Sequence, residues 1–253
     1  MVKVARGDDD VDAVTRISVI VPAHNEERLL PSCLEAIARA GRSVQNQPEV
    51  IVVANRCSDR TADVAEDLGA LVVFDDARTI GRVRNAGGAM ATGDILVTID
   101  ADSLMSPRAL GDVERHLATG RIVGGSAGVE PERHSIGVDL TYAIVRAGVR
   151  LSGLGGGMLW CRTGDFHAIH GFNEEMLLAE DLDFARRLRE HGRSTGRRFV
   201  HLRTAPVVTS TRKFDRFGDW HAFGLIRHAA EVKASIDGRD RAFVDRYFYD
   251  VRH

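Results

Sequence analysis

The sequence predicts an α/β protein, a mostly parallel central sheet with helices on both faces. Three observations carry the prediction. Short runs of β-branched residues recur through the first hundred positions, stretches with helical spacing separate them, and turn-forming or acidic residues stand where the runs end. Strands that alternate with helices need crossover connections, and crossovers produce parallel pairing.

Taken in order, residues 1–15 are polar and acidic and read as a frayed tail. The run Ile17 to Val21, stopped by Pro22, has the continuous apolar character of a strand buried on both faces. Residues 27–40 set Leu30, Leu34, Ile37 and Ala38 at helical spacing, with Gly41 as terminator. The pattern repeats as strand 50–54, helix 58–70, strand 71–74, helix 81–91 and strand 94–100. Beyond it, 121–129 reads as a strand and 135–151 as a helix. Residues 154–162 read as a Gly-rich loop entering a strand, 177–192 as an amphipathic helix, and 198–212 as further β structure. No repeat or linker interrupts the chain, so one domain is expected over 16–253. Its parts are a first half (16–104), a second half (105–212) and an aromatic, basic segment (213–253).

Composition narrows the function classes. The chain has 253 residues, and 34 Lys+Arg against 36 Asp+Glu give a net charge of −2, which argues against a nucleic-acid partner. Three scattered cysteines form no CxxC pair, which fits a reducing compartment better than a disulfide or zinc scaffold. The N-terminus carries acids in place of a signal peptide's apolar region, and no apolar run reaches spanning length. A cytoplasmic protein is expected.

The sharpest chemical signal is ILVTIDADS, in which a hydrophobic strand delivers Asp100 and Asp102 at its carboxyl end, one residue apart. Ligands of open α/β sheets sit at that edge, and two acids there can share one hard cation that bridges diphosphate oxygens. The competing explanation is a solvated turn with an Asx cap. The second signal is Glu180-Asp181 at the start of the amphipathic helix. Acids there stabilise the helix end by roughly 0.3–1 kcal/mol, yet two adjacent acids behind Leu177-Leu178 also suit a carboxylate that accepts a substrate proton in a dry cleft.

Together PAHNEE, NRCSDRTADVA, GRVRNAGGAMATGD, the DAD strand, GFNEE and EDLDFARRL, spread over about residues 16–192, resemble the inverting GT-A glycosyltransferases of family 2. The resemblance implies a Rossmann-like α/β/α sandwich and sugar transfer from a nucleotide sugar, with UDP favoured over GDP as the base carrier. It places Pro22, Ala23, Asn25, Glu26 and Ala101 at the nucleotide, with Arg84 on base or phosphates and Arg82 or Arg84 at the leaving diphosphate. Asp100 would hold the ribose and share a Mg or Mn ion with Asp102. Asp181 would be the base and Glu180 its partner in orienting the acceptor. The Gly155–Gly157 segment ahead of Trp160 would border an acceptor of unknown class: glycan, lipid or small molecule.

Two departures stand out. Many relatives read uracil with an acid where this chain has Ala54, so Asn55, which can donate and accept, is the candidate replacement. Where relatives often place a metal-binding His, this chain has Thr209 and Ser210, leaving His221 and His228 as weak substitutes. The aromatic tail reads either as a packed terminal helix or as a lid or lipid contact, and Arg212-Lys213 as solvated or as reaching a donor phosphate. Three rivals remain: a retaining GT-A enzyme, a non-catalytic nucleotide-sugar binder, and a serine hydrolase built on Gly124-Gly125-Ser126-Ala127-Gly128. The last requires a strand–turn–helix elbow, whereas Pro131 follows and no helical period begins before about residue 135.

Overall fold

The computed structural model describes residues 15–220. The expected N-terminal tail up to residue 14, the aromatic segment from 221 onward, and with it His221 and His228, lie outside the described residues.

One eight-stranded sheet runs through the molecule in the order β3-β2-β1-β4-β7-β6-β8-β5. Its first half comprises β1 (Ile17–Ala23), β2 (Glu49–Asn55), β3 (Leu71–Asp75) and β4 (Ile95–Ile99), all paired in parallel. In the second half, β7 (Met158–Arg162) runs antiparallel to β4 and to β6 (Ile122–Pro131). Strand β8 (Arg198–Thr209) is parallel to β6, and the two-residue β5 (Ser103–Leu104) is antiparallel to β8. Four of the seven pairings are therefore parallel.

Alternation along the strands builds the sandwich. Val19 and Val21 of β1 point into one core with Leu30, Cys33 and Ile37 of α1 (Leu30–Gly41) and Leu110, Val113 and Leu117 of α4 (Ala109–Ala118). Ile20 points into the other, with Val83 of α3 (Ile80–Met90), Phe166 of α6 (Thr163–Ala168), and Phe184 and Leu188 of α7 (Glu180–Ser194). Helix α3 lies so close to β1 that a Cβ on Gly87 would collide with the Ile20 side chain.

Differences from the expected boundaries have local causes. Pro22 does not stop β1, because pairing with β4 ends at Ile20 and beyond that point β1 is bonded only to β2; the missing N–H costs nothing there. Ala38 faces outward, the buried stripe of α1 passing through Cys33 and Ala40 instead. Helix α2 (Thr61–Asp67) starts three residues late because the Asp59 carboxylate accepts from the Thr61 N–H at 3.0 Å, holding 58–60 in a turn. Helices α4 and α6 were not foreseen. The helix expected over 135–151 is present as α5 (Ile136–Ser152), its first turn capped by the Ser135 hydroxyl, which accepts from the Val138 N–H. Among the described residues no helix is long and apolar enough to cross a membrane.

Candidate active site

A cavity of about 400 Å³ opens at the carboxyl ends of β1 and β4. Pro22, Ala23, Glu26, Asn55, Arg84, Asp100, Ala101, Asp102, Glu180 and Asp181 all line it. Its position follows from strand length: β1 outruns its last β4 partner by three residues, and the sheet parts there.

The acids are placed by short, well-tied segments. Asp100 follows directly on β4, and the turn 100–102 is pinned because β5 pairs with β8 and the Ser210 N–H donates to the Asp102 carbonyl at 3.0 Å. Thr209 and Ser210 therefore stand beside Asp102 in the cavity wall. On the opposite wall Ala179 adopts the left-handed conformation (φ 61°) at the entrance of α7, a rare state for a residue with a Cβ, and turns Glu180 and Asp181 inward.

Two arginines join these walls. Arg84, 7% exposed, donates to Asp100 Oδ1 at 2.8 Å and to Glu180 Oε1 at 2.5 Å, with its guanidinium over the Phe172 ring. Arg212, at the start of α8 (Arg212–Phe217), forks onto both oxygens of Glu26 at 2.6 and 2.7 Å and reaches Asp102 Oδ2 at 2.9 Å. Arg212 is thus a cleft residue rather than a solvated one. Both guanidinium groups keep a buried Nε without a hydrogen-bond partner, so each retains one donor uncommitted.

Burial raises the carboxyls of Glu180 and Asp181 above the ordinary range, against the opposing pull of Arg84 on each. The Tyr142 phenol, another wall of the cavity, is pushed up to about 12 by burial and by Asp102, so it remains a protonated donor.

Two expected nucleotide residues lie elsewhere. Arg82 is exposed and outside the cavity, two residues of helix being enough to turn it to the far face of α3 from Arg84. Asn25 also lies outside, its Oδ1 accepting from the Ser58 N–H at 2.8 Å. With Thr61 Oγ1 accepting from the Glu26 N–H and Glu27 accepting from the Arg60 N–H, it knits the two strand-end loops together. Asn55 does line the cavity, but its amide donates to the carbonyls of Asp75 and Ala77 at 3.0 and 2.8 Å. Its donors hold the end of β3 in place. Ser126 sits fully buried in the middle of β6, with its hydroxyl 2.9 Å from His201 Nδ1. The strand continues to Pro131, so no nucleophile elbow forms.

Among the described residues no cluster of three or more His, Cys, Asp or Glu is arranged to hold a metal. The chemistry of the donors still fits a hard cation: Asp100 and Asp102 supply carboxylates beside the Thr209 and Ser210 hydroxyls. A magnesium-type ion takes one or two carboxylates from protein and the rest of its oxygens from phosphate and water.

An open α/β sheet with acids and arginines at its carboxyl edge is the architecture of a ligand-binding α/β enzyme scaffold. The sequence profile of Glycosyl transferase family 2 matches residues 18–159, more than half of the chain. The chain belongs to glycosyl transferase family 2, and its fold is that of the GT-A glycosyltransferases. An undecaprenyl-phosphate 4-deoxy-4-formamido-L-arabinose transferase of Pectobacterium carotovorum subsp. carotovorum is 28% identical over 123 residues, covering 46% of this chain and 38% of that protein. The match thus spans well under half of that relative's length. The mannosyltransferase PcManGT from Pyrobaculum calidifontis, solved with GDP-Man and Mn2+, superposes with a TM-score of 0.60 at 22% identity, over 77% of this chain and 56% of that one. S. aureus TarS 1-349, solved with UDP, gives 0.59 at 19% identity, over 81% and 63%.

Proposed function

We propose that this chain transfers a sugar from a nucleoside-diphosphate sugar to an acceptor hydroxyl with inversion, using Asp181 as base. The observation that carries the reading is the single cavity in which Asp100 and Asp102 at the sheet edge face Glu180 and Asp181 at the head of α7. The donor lies over Pro22, Ala23 and Ala101, whose small or compact side chains leave room for a planar base. Asp100 and Asp102 would hold a Mg or Mn ion, which would supply positive charge to the diphosphate. The solved relatives with UDP, or with GDP-Man and Mn2+, support a nucleotide donor and a divalent ion.

Asp181 accepts the proton of the acceptor hydroxyl as its oxygen attacks the anomeric carbon, while the nucleoside diphosphate departs from the opposite face. Burial keeps this carboxyl more basic than a surface aspartate. Glu180, fixed by Arg84, sets the direction in which α7 presents Asp181. Charge growing on the departing diphosphate is met by Arg84, Arg212 and Lys213, and preorganised donors of this kind are the larger contribution, worth several kcal/mol in a water-poor site. The acceptor class is open among glycan, small molecule and lipid phosphate, and a relative named for undecaprenyl phosphate supports the last.

Calorimetric titration with UDP and with GDP, each with and without Mn2+, tests the donor site. Metal-dependent binding of one nucleotide is expected. A folded protein that binds neither would overturn the reading.

A further inference from the structure

Helix α5 carries apolar residues on two opposite sides. One side packs inward over the first two turns, through the buried Val138 and the half-buried Tyr142, which belongs to the wall of the cavity; beyond them Val145 on that side is exposed as well. On the other side Ile136, Leu140, Ile144 and Leu151 follow one another at helical spacing and stand open to solvent, Ile136 81% and Leu151 90% exposed. Large aliphatic side chains in a continuous exposed stripe are unusual for a soluble surface. Arg146 and Arg150, both exposed, border the stripe along one flank. Of the helix's own charges, Asp139 is the sole acid, and it is paired with His134 at 2.7 Å.

We propose that this outer face of α5 rests on an anionic lipid surface. The stripe supplies the area that enters the boundary between headgroups and acyl chains, and the two arginines beside it meet the anionic headgroups. That charge complementarity favours lipid over a second copy of the chain, since an interface between copies would bring Arg146 and Arg150 near another basic helix face or require acids that α5 does not present. The same helix then holds Tyr142 in the cleft and its opposite side on the membrane, so an acceptor embedded in lipid would arrive at the mouth of the cavity. Docking stands on the helix alone; only that consequence for the acceptor rests on the proposed transfer reaction.

The test is co-sedimentation of the full chain with phosphatidylcholine vesicles, with and without phosphatidylglycerol, across a salt series. Association with the anionic vesicles is expected, weakening as salt screens the arginines. The double substitution Arg146→Gln and Arg150→Gln should weaken it by about 25-fold, roughly fivefold for each charge removed. Ile144→Glu with Leu140→Glu should abolish it while calorimetric nucleotide binding stays as in the unaltered chain, which separates docking from folding and from the donor site. Absence of vesicle association in the unaltered chain overturns the proposal, as does association that Ile144→Glu with Leu140→Glu leaves intact. Sedimentation velocity that shows a dimer dissociated by those same substitutions, with no vesicle effect, would reassign the face to a contact between copies.

Discussion

Gly156 and Asp181 are packed so closely that a Cβ on the glycine would fall on the Asp181 carboxylate. The loop ahead of β7 therefore forms one side of the slot in which the proposed base sits. Gly156→Ala should push the carboxylate out of line, and a misplacement on the order of 1 Å can cost about 100-fold in rate. Steady-state kinetics should show the loss in kcat, with UDP affinity within about twofold of the unaltered chain by calorimetry. Equal losses in both would mean that the loop shapes the donor site instead.

Asp181→Asn keeps the size and removes the ionisable group. Transfer should fall by about 100-fold to 10,000-fold, the usual contribution of a positioned base, with nucleotide binding nearly intact. An active Asn variant would remove Asp181 from that role.

The pH profile should carry the same signature. Burial raises the Asp181 carboxyl above the usual 3.8, outweighing the pull of Arg84. A base must be ionised to accept a proton, so kcat/KM should decline as pH falls through that raised value and hold above it. The acid limb should therefore lie at higher pH than an exposed aspartate would give. A profile flat down to the ordinary aspartate range would contradict the assignment.

Arg84→Met leaves the buried Glu180 without its cation and takes the same partner from the more exposed Asp100. Breaking a buried pair from one side costs about 3–5 kcal/mol, so chemical denaturation should show a large drop in midpoint, and transfer should be lost with it. Arg84→Lys should recover part of the stability but not both contacts, because an ammonium lacks the planar fork that reaches two acids.

Asp102→Ala should weaken nucleotide binding in the presence of Mn2+ by roughly tenfold or more, the size of a lost charged contact. Binding measured without metal should change much less. Ser126→Ala, by contrast, should leave transfer unchanged and cost about 1 kcal/mol through the lost contact with His201. Loss of activity in this variant would revive hydrolase chemistry.

Most of the strands were legible because strands buried on both faces write themselves as unbroken apolar runs, as Ile51 to Val53 and Ile95 to Val97 do; their order in the sheet was not. The placement of Asp100 and Asp102 was legible for the same reason: the strand before them has a clear end. Helix α4 was missed because Arg108 to Ala118 mixes charge with only three large apolar residues, and α6 because a six-residue helix has too few turns for a period to register. The role of Arg212 lay beyond local pattern altogether. Its partner Glu26 is 186 positions away, and only the closing of β5 onto β8 brings the two together. Asn25 and Asn55 show the converse limit, since a motif can identify residues that matter without saying whether they meet a ligand or hold the loops that do.

The shared guanidinium of Arg84 has an evolutionary consequence. Asp100 follows a strand of the first half of the sheet and Glu180 opens a helix of the second, yet both carboxylates draw on one cation. A change at either acid leaves the arginine paired one-to-one with the other, whereas a change at the arginine strands both. Substitutions at these three positions are therefore epistatic: losing the arginine costs most while both acids are present, and a change at one acid alters what a change at the arginine does.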